Sequence, residues 1–566
     1  MTWLLAAVIL FGCSGKIPLP DAGPKTCDDV SRFFHETLDL YQNEMDGAGR
    51  EYQIEQWRQE TADPSASAEK LSQSFSELQK MTYNSQILSA TEGLAKSTEG
   101  LSCPMREKLL RVKGLLESSI LTKEEVIRLE KENQERQDKL ATQSNGFRMS
   151  VAGEKEPISR ALYGKKLAAM PDRKAREVLY REFNPGRANK WLEWGFRELL
   201  KSRNAEAKAA GFPTYYEYRF FRSQLDLKNY LSMAKDVKAK LAPKVRVEVA
   251  RLGRTHQIKK VEDWDLRFLR EEAVSGSINE LLKTLPEKTV LDVARDFWKA
   301  LGIDIDSYAF MMDLFPRPGK NTHAFAMAVV FPHVNNDKVK ADIRFLANLR
   351  QPVTWEDIAT VIHELGHAIH AAEVKQPLGI FRGFGSVDTE AIAMTAERMA
   401  SSQEFYEAAL PKYAQADVKK LRPLLRKQMR AERVEQAFVL LRQVFFSDFE
   451  YEMYKNPDAD FALLWSKMHE EYWGVPVEPK IAGWDIADHF ISSPVYIENY
   501  AIGILMVEQL YEGILRDFKT SYNSVKLGDK LRSQYFAPGQ EFSYLDLVQH
   551  FSGQPLSAAA ALKLLD

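Results

Sequence analysis

Two histidines and a glutamate have the spacing that a catalytic metal site requires. The segment Thr360–His370 contains the pattern His-Glu-x-x-His, at His363, Glu364 and His367. Residues four positions apart lie on the same face of a helix, so the two imidazoles can bind one metal ion. Imidazole nitrogen is a common zinc ligand, and the glutamate is placed to take a proton from a water that the metal activates. The spacing therefore predicts a catalytic zinc site on a helix.

A third ligand must come from elsewhere in the chain, because a catalytic zinc ion usually has three protein ligands and one open position. Glu373 lies about 9 Å further along the same helix axis, so it cannot share the metal unless the helix breaks. A helical pattern resumes near Ser386 or Asp388, and Glu390 falls in its first turn. If this helix runs antiparallel to the first, Glu390 returns to the histidines, and we predict it as the third ligand.

Two further acidic residues on this second helix have other predicted roles. Glu397 lies two turns after Glu390 on the same face, where we expect it to hydrogen-bond one of the ligand histidines. Asp388 is expected to be the N-cap of the helix rather than a ligand. The predicted centre therefore holds one Zn²⁺ per chain through three protein side chains.

The overall composition excludes several other kinds of protein. The chain has 566 residues, of which 45% are hydrophobic and 28% charged, and its formal net charge is −2. This is the composition of an ordinary globular protein, and it provides no positive field that would attract nucleic acid. Three cysteines exclude a disulfide-rich scaffold and a zinc module with four cysteine ligands. We expect a monomer without a nucleic-acid partner.

The first residues resemble a bacterial export signal, predicted here as residues 1–13. The nine apolar residues from Trp3 to Phe11 are too few to span a bilayer as a helix and fit the apolar region of a signal peptide. The run ends in Leu-Phe-Gly-Cys13, which resembles a lipobox, so Cys13 is predicted to carry a lipid. Lipidation would place the protein in a bacterial cell envelope, on the periplasmic side or at the outer membrane, with the lipid as its membrane contact. The alternative is an uncleaved apolar N-terminus on a cytoplasmic protein.

The remainder of the chain is predicted to consist of a tether followed by a mostly helical region. Residues 14–26 are rich in proline and glycine, which is typical of a flexible tether. Helical spacing of apolar residues predicts an N-terminal helical part over residues 27–310, and the metal motif lies in the part that follows, residues 311–566. In an oxidising envelope Cys27 and Cys103 form a disulfide or remain two free thiols, and the sequence leaves both open.

Strands are predicted at residues 322–349, next to the metal motif. The apolar run Ala324–Phe331 and the run Ala341–Ala347 are separated by a polar turn. Helical pattern resumes at Trp355 and continues almost to the end of the chain. The predicted fold class is therefore mostly α, with a small β-sheet beside the metal-binding helix.

Five stretches resemble the zinc peptidases of one superfamily, which comprises the angiotensin-converting enzyme, thimet oligopeptidase and oligopeptidase F families. These stretches are His363–His370, Arg382 to Ile392, Asp313–Ala324, His489–Tyr500 and Arg203–Arg219. The resemblance implies two helical halves around a deep substrate channel, with zinc near its floor. It also implies hydrolysis of short peptides, in the manner of an oligopeptidase or a peptidyl-dipeptidase.

The resemblance further implies roles for residues outside the metal group. His489 and Tyr496 would donate hydrogen bonds to the oxyanion that forms from the scissile carbonyl. The edge strand at His323 and Ala324 would pair with the peptide backbone by strand addition.

Two more residues are implied to bind substrate, each with a structural alternative. Tyr500 lies one position later than the second tyrosine of the converting enzymes, where this chain has Asn499, so we rank Tyr496 above it as the oxyanion donor. Packing between helices is the alternative for Tyr500 and for His489. Arg382 either steers substrate or makes a structural ion pair.

Two other functions stay open at this stage. The lysine that holds a substrate's C-terminal carboxylate in the converting enzymes is replaced here by Ala487, which argues against strict release of dipeptides. One alternative is a zinc carboxypeptidase that removes single C-terminal residues. The other is a catalytically silent relative that binds peptides, although such a module has no need for the general base Glu364.

Overall fold

The computed structural model describes residues 17–20, 25–82, 84–274, 278–283, 285–334 and 339–566. The predicted signal peptide and Cys13 lie outside these residues, so lipidation stays a prediction. The fold is 69% helical with 3% strand, which confirms the mostly-α prediction. Within the described ranges no helix is both long and apolar enough to cross a bilayer.

The α-helices follow one another along the whole described chain. In order they are α1 (Cys27–Arg32), α2 (Asp39–Glu60), α3 (Ala68–Thr82), α4 (Ser85–Ser97), α5 (Arg106–Ser119), α6 (Glu124–Gly146), α7 (Arg160–Ala169), α8 (Arg173–Glu193), α9 (Phe196–Ala210), α10 (Tyr215–Arg222), α11 (Leu227–Asp236), α12 (Ala242–Thr255), α13 (Asp263–Val274), α14 (Ile278–Leu282), α15 (Thr289–Ala300), α16 (Trp355–Ala372), α17 (Ser386–Ala400), α18 (Gln403–Ala414), α19 (Val418–Lys455), α20 (Phe461–Trp473), α21 (His489–Ser492), α22 (Ile497–Phe518), α23 (Val525–Lys530) and α24 (Tyr544–Ser552). Short π-helical turns at Phe33–Leu38, Val237–Leu241 and Leu531–Phe536 continue some of these helices.

The strands form two small sheets. They are β1 (Arg148–Met149), β2 (Ile158–Ser159), β3 (Met311–Asp313), β4 (Phe325–Val330) and β5 (Asp342–Leu346). The second sheet has the order β3-β5-β4, with β3 parallel and β4 antiparallel to β5. Both strands expected at residues 322–349 are present as β4 and β5. Because β5 is central, β4 lies at an edge of this sheet.

The larger hydrophobic core runs through most of the chain. Its buried side chains extend from Val126 to Leu564, and they come from both sides of residue 310. The predicted boundary between two helical halves at residues 310 and 311 therefore stays a prediction.

A smaller core belongs to residues 27–120, which we call the cap. Its buried side chains pack together with Leu378 and Phe381, which lie between α16 and α17. A disulfide joins Cys27 to Cys103, which is one of the two states that the sequence left open. The cap is thus attached to the segment that connects the two helices of the predicted metal site.

Candidate metal centre

Helix α16 presents the motif histidines on one face because its start and its other face are fixed. Thr354 is the N-cap, and its side chain and that of Asp357 hydrogen-bond each other's backbone N–H groups in a capping box. Most of the helix is buried against the larger core. The side chains of His363 and His367 retain 17% and 15% exposure, so both rings reach the cavity described below.

Helix α17 packs closely on α16 at a glycine. A Cβ placed on Gly366 would lie 2.9 Å from the Cα of Ala393, a distance that side chains do not tolerate. The later histidine of α16, His367, contacts Thr389 near the start of α17, and the earlier histidine, His363, contacts Glu397 near its end. The helices are therefore antiparallel, as predicted, and the close approach brings Glu390 to the two histidines.

Three side chains converge with the geometry of a zinc site. The Nε2 atoms of His363 and His367 are 3.1 Å apart. The Nε2 atom of His363 lies 3.5 Å from Oε1 of Glu390, and that of His367 lies 3.5 Å from Oε2 of the same carboxylate. Tetrahedral zinc with bonds of about 2.0–2.1 Å places its ligand atoms about 3.3 Å from one another. These three residues are also the group of possible metal ligands found among the described residues. The donor set therefore fits zinc.

The outer nitrogen of each histidine also has a partner. His363 Nδ1 lies 3.4 Å from Glu397 Oε2, which is the contact expected from the sequence. His367 Nδ1 lies 2.8 Å from Thr389 Oγ1. Partners of this kind hold a ligand histidine in the tautomer and orientation that metal binding requires. Sequence reasoning missed Thr389, although the rule that each ligand histidine needs such a partner could have directed attention to its position beside Glu390.

The carboxylates and imidazoles shift one another's pKa in the metal-free chain. Burial by itself lowers the pKa of His363, but the carboxylates of Glu397, Glu390 and Glu364 together raise it to about 9. Burial and the charge of His363 lower the pKa of His367, and together they outweigh Glu390, which raises it. Burial raises the pKa of Glu390, and the two histidines lower it more, so its net shift is downward. The three groups thus form a strongly interacting set in which Glu390 stays ionised.

Glu364 has a buried carboxyl group. Its side chain belongs to a residue that is 5% exposed, and among the described residues its Oε2 atom has no hydrogen-bond partner. Burial raises its pKa to about 7; His363 opposes this shift, whereas Glu390 and Glu397 add to it. A carboxyl group with this pKa can both take up and release a proton near neutral pH.

A cavity of about 480 Å³ connects the metal group with the edge strand. His363, Glu364, His367 and Glu390 line one part of it, and the successive residues 325–328 of β4 line another. Side chains alternate between the two faces of a strand, so consecutive residues can all border a cavity only along the strand's edge. The open edge of β4 therefore faces the metal group. Ala324 also lines this cavity, whereas His323 is exposed just before the strand.

The aromatic residues implied by the resemblance cluster at the start of α22. Ring centroids of Tyr496 and Tyr500 are 5.4 Å apart, and Tyr500 Oη lies 3.4 Å from His489 Nε2. Burial, followed by the charge of Glu390, raises the pKa of Tyr496, and burial with Tyr496 and Glu390 raises that of Tyr500 to about 12. Both phenols are therefore protonated hydrogen-bond donors, and the charge of Glu390 reaches both of them, although neither tyrosine lines the metal cavity.

Buried side chains hold the short helix α21 and the loop after it, which carry His489 and Tyr496. Arg203 donates to the backbone carbonyls of Phe490 and Ile491 at 2.8 and 2.7 Å. Glu450 accepts from the backbone N–H of Val495 at 2.9 Å, and Val495 has a φ of 53°. A positive φ is strained for a β-branched residue and persists only when its surroundings enforce it.

These two partners come from helices α9 and α19, far from the loop in the chain. Arg203 is 1% exposed and Glu450 is completely buried. Sequence reasoning placed Arg203 in a stretch shared with the peptidases but assigned it no contact, and it missed Glu450. No local pattern links either residue to the loop.

Two other residues lie in places that decide between earlier alternatives. Arg382 does not line the metal cavity, and its guanidinium lies 3.3 Å from Asp46 of the cap and 3.3 Å from His333. This is the ion pair that the sequence left open, and a contact with substrate stays a prediction.

The expectation that Asp388 is an N-cap is wrong, because α17 starts earlier, with Gly385 as its N-cap. A Cβ on residue 385 would lie 2.6 Å from Asp388 Oδ2, so a side chain here would displace the Asp388 carboxylate.

Comparison with known proteins shows where this chain has relatives. The profile of peptidase family M3 matches residues 166–566. Thimet-like oligopeptidase of Dictyostelium discoideum is 23% identical over 270 residues, which are 45% of this chain and 40% of that protein, so the chain spans about two fifths of this curated relative. The crystal structure of a candidate peptidase from Chlamydophila abortus superposes with a TM-score of 0.64 at 15% identity, covering 95% of this chain and 90% of that one. At this identity the superposition shows a shared fold.

Proposed function

The chain belongs to peptidase family M3, and on that premise we propose that it is a zinc metallopeptidase that hydrolyses short peptides as an oligopeptidase or a peptidyl-dipeptidase. Membership confirms the resemblance to the thimet oligopeptidase side of the superfamily. One observation carries the proposal. The three residues with zinc geometry line the same cavity as the open edge of a β-strand, together with Glu364, whose Oε2 atom has no hydrogen-bond partner in the described part of the chain.

His363, His367 and Glu390 are the residues that would hold the zinc ion. Zinc, when bound, polarises the scissile carbonyl and makes a water more acidic. Glu364 would take the proton from that water and then deliver it to the leaving amine, acting first as general base and then as general acid. Glu397 and Thr389 keep the two imidazoles in the required orientation.

The substrate would lie along β4. An extended peptide can add to the open edge of this strand through main-chain hydrogen bonds, which makes binding depend on the backbone more than on side chains. A cavity of about 480 Å³ is of the size that takes small ligands and short peptide segments. Strand addition needs an extended segment whose backbone is not already paired, so short or unfolded peptides are the proposed substrates.

Tyr496 and His489 would stabilise the oxyanion. Replacement of Tyr496 by phenylalanine is expected to lower kcat about 10²–10³-fold with little change in KM, because loss of one oxyanion donor has an effect of this size. Tyr500→Phe is the matched variant, since both residues are 38% exposed and lie at the start of the same helix. We expect it to have a smaller effect. If Tyr500→Phe has the larger effect on kcat, the two tyrosines exchange their proposed roles.

Mass spectrometry of cleavage products tests the proposed function. A set of short synthetic peptides is offered with free and with amidated C-termini, with and without a zinc chelator. Internal cuts that a chelator abolishes and that persist after amidation are expected for an oligopeptidase. Cuts that need a free C-terminus would indicate a peptidyl-dipeptidase if two residues leave, and a carboxypeptidase if one leaves. Absence of cleavage by zinc-loaded protein would contradict the proposal and favour the silent peptide binder.

A further inference from the structure

The cap helix α2 is attached to β4, the strand that borders the metal cavity. The rings of Trp57 and Phe325 make an edge-to-face contact with centroids 6.2 Å apart. The backbone N–H of Asn321, just before β4, donates to the carbonyl of Glu60 at 2.8 Å. Arg344 of β5 lies over the ring of Trp57, 5.8 Å from its centroid. These contacts fix the last turns of α2 relative to the strand.

One polar residue of the cap reaches the metal cavity. Gln53 lies one turn before Trp57 on α2 and, among the described residues that line the cavity, is the one that the cap contributes. Its side-chain Oε1 atom is buried, and no described residue donates a hydrogen bond to it. A buried amide oxygen without a donor is unfavourable, so a turn of the amide that brings Oε1 to the cavity and to an N–H of a ligand gains a hydrogen bond.

A peptide bound to β4 has N–H groups that need such an acceptor. In an extended strand the N–H and C=O groups of successive residues point to opposite edges. A peptide that pairs with β4 through one edge therefore directs the groups of its other edge towards the side chains that line the rest of the cavity. Gln53 supplies an amide oxygen for an N–H group and an amide NH₂ for a carbonyl group.

We propose that Gln53 is a substrate-binding residue, whose Oε1 atom accepts a hydrogen bond from a backbone N–H that the bound peptide directs away from β4. This inference rests on the proposed function, since it assumes a peptide along the strand. Gln53 precedes residues 166–566, so the match to the peptidase family does not assign it. The cap is then part of the substrate-binding apparatus.

Variants at this position separate binding from catalysis. Gln53→Met keeps the length of the side chain and removes its hydrogen-bonding groups. We expect KM to rise about three- to tenfold, the effect of one lost hydrogen bond, while kcat changes less. Gln73→Met is the matched control, because Gln73 is an exposed glutamine on the neighbouring helix α3. Unfolding temperature and zinc content are measured for both, and we expect both to match the unmodified protein.

A peptide series identifies the hydrogen bond itself. Each backbone N–H of a cleaved peptide is replaced in turn by an ester oxygen, and the dissociation constant of every analogue is measured on Glu364→Gln protein with and without Gln53→Met. We expect one N–H whose loss weakens binding to the Gln53 protein about three- to tenfold and leaves binding to the Gln53→Met protein unchanged. If every replacement has the same effect on both proteins, the inference is wrong.

The two proposals can fail separately. Peptide binding that depends on Gln53, in a protein that cleaves no peptide, would retain this inference and overturn the proposed hydrolysis. Cleavage with unchanged KM in Gln53→Met would retain the peptidase and overturn the role of Gln53.

Discussion

Replacement of Glu364 by glutamine is expected to lower kcat about 10²–10⁴-fold, the usual contribution of a general acid or base, while the protein keeps its zinc. Glutamine preserves the shape of the side chain but cannot take the proton from water. The carboxyl group is not one of the three residues with zinc geometry, so the metal should remain bound. KM should change little, because the peptide is proposed to bind through β4.

Zinc content and steady-state kinetics measured on the same preparation check this result. Glu356→Gln is the control on the same helix, since its side chain is 75% exposed and pairs with Arg350 at the surface. A Glu364→Gln protein that retains full kcat would exclude the proposed general base.

The Glu364 variant should also not lose thermal stability. The pKa of this group is raised to about 7 in the folded chain, chiefly by burial, whereas an unperturbed glutamate has a pKa of about 4.3. Between about pH 4.3 and pH 7 the carboxyl group is therefore protonated in the folded chain and ionised in the unfolded chain. The free energy of unfolding of the metal-free protein consequently falls as the pH rises through this range. Glutamine removes this dependence, so Tm at pH 8 is expected to be equal or higher. A clear decrease in Tm would indicate instead that the ionised carboxylate stabilises the fold.

Glu390→Gln is expected to weaken zinc binding far more than Glu397→Gln does. The two glutamates lie on the same helix and their side chains are equally accessible, with 43% and 44% exposure. Only Glu390 approaches both ligand nitrogens on the side where the metal lies. Loss of a partner that orients a ligand lowers metal affinity about 10–100-fold, and glutamine at position 397 can still accept from His363, so this range is an upper limit for Glu397→Gln.

Competition with a chromogenic chelator measures both zinc affinities. The rise in Tm on addition of zinc is a second readout, because a metal that binds only the folded protein raises its stability in proportion to the logarithm of its concentration over Kd. We expect this rise to be nearly absent in Glu390→Gln and largely retained in Glu397→Gln. Equal affinities, or a larger loss at Glu397, would mean that the ligand has been assigned to the wrong glutamate.

The metal group shows how far a sequence pattern can be followed. The positions of His363 and His367 follow from helical periodicity, which depends on a few consecutive residues. The prediction of Glu390 needed one further assumption, that the next helix runs antiparallel. The two helices are antiparallel in the structure, but they can approach each other closely only because Gly366 faces Ala393. No feature of the sequence alone shows that this glycine is the contact point.

Residues that contact the site from distant parts of the chain could not be predicted. Gln53 reaches the cavity because α2 packs on β4, which follows more than 250 residues later. Arg203 and Glu450 reach the loop of His489 and Tyr496 in the same way. Such contacts arise when apolar surfaces of separate helices are buried together, and many pairings would satisfy the same apolar pattern.

The sequence by itself determined the mostly helical class, the strands β4 and β5, and the histidine pair with the glutamate beside it, because each depends on a pattern of nearby residues. It also pointed to the peptidase superfamily through five separated stretches. The tertiary structure decided which edge of the sheet faces the metal, that Arg382 pairs with Asp46, and that the cap contributes Gln53 to the cavity. These features depend on how separate elements pack, and packing is set by the shape of the whole core.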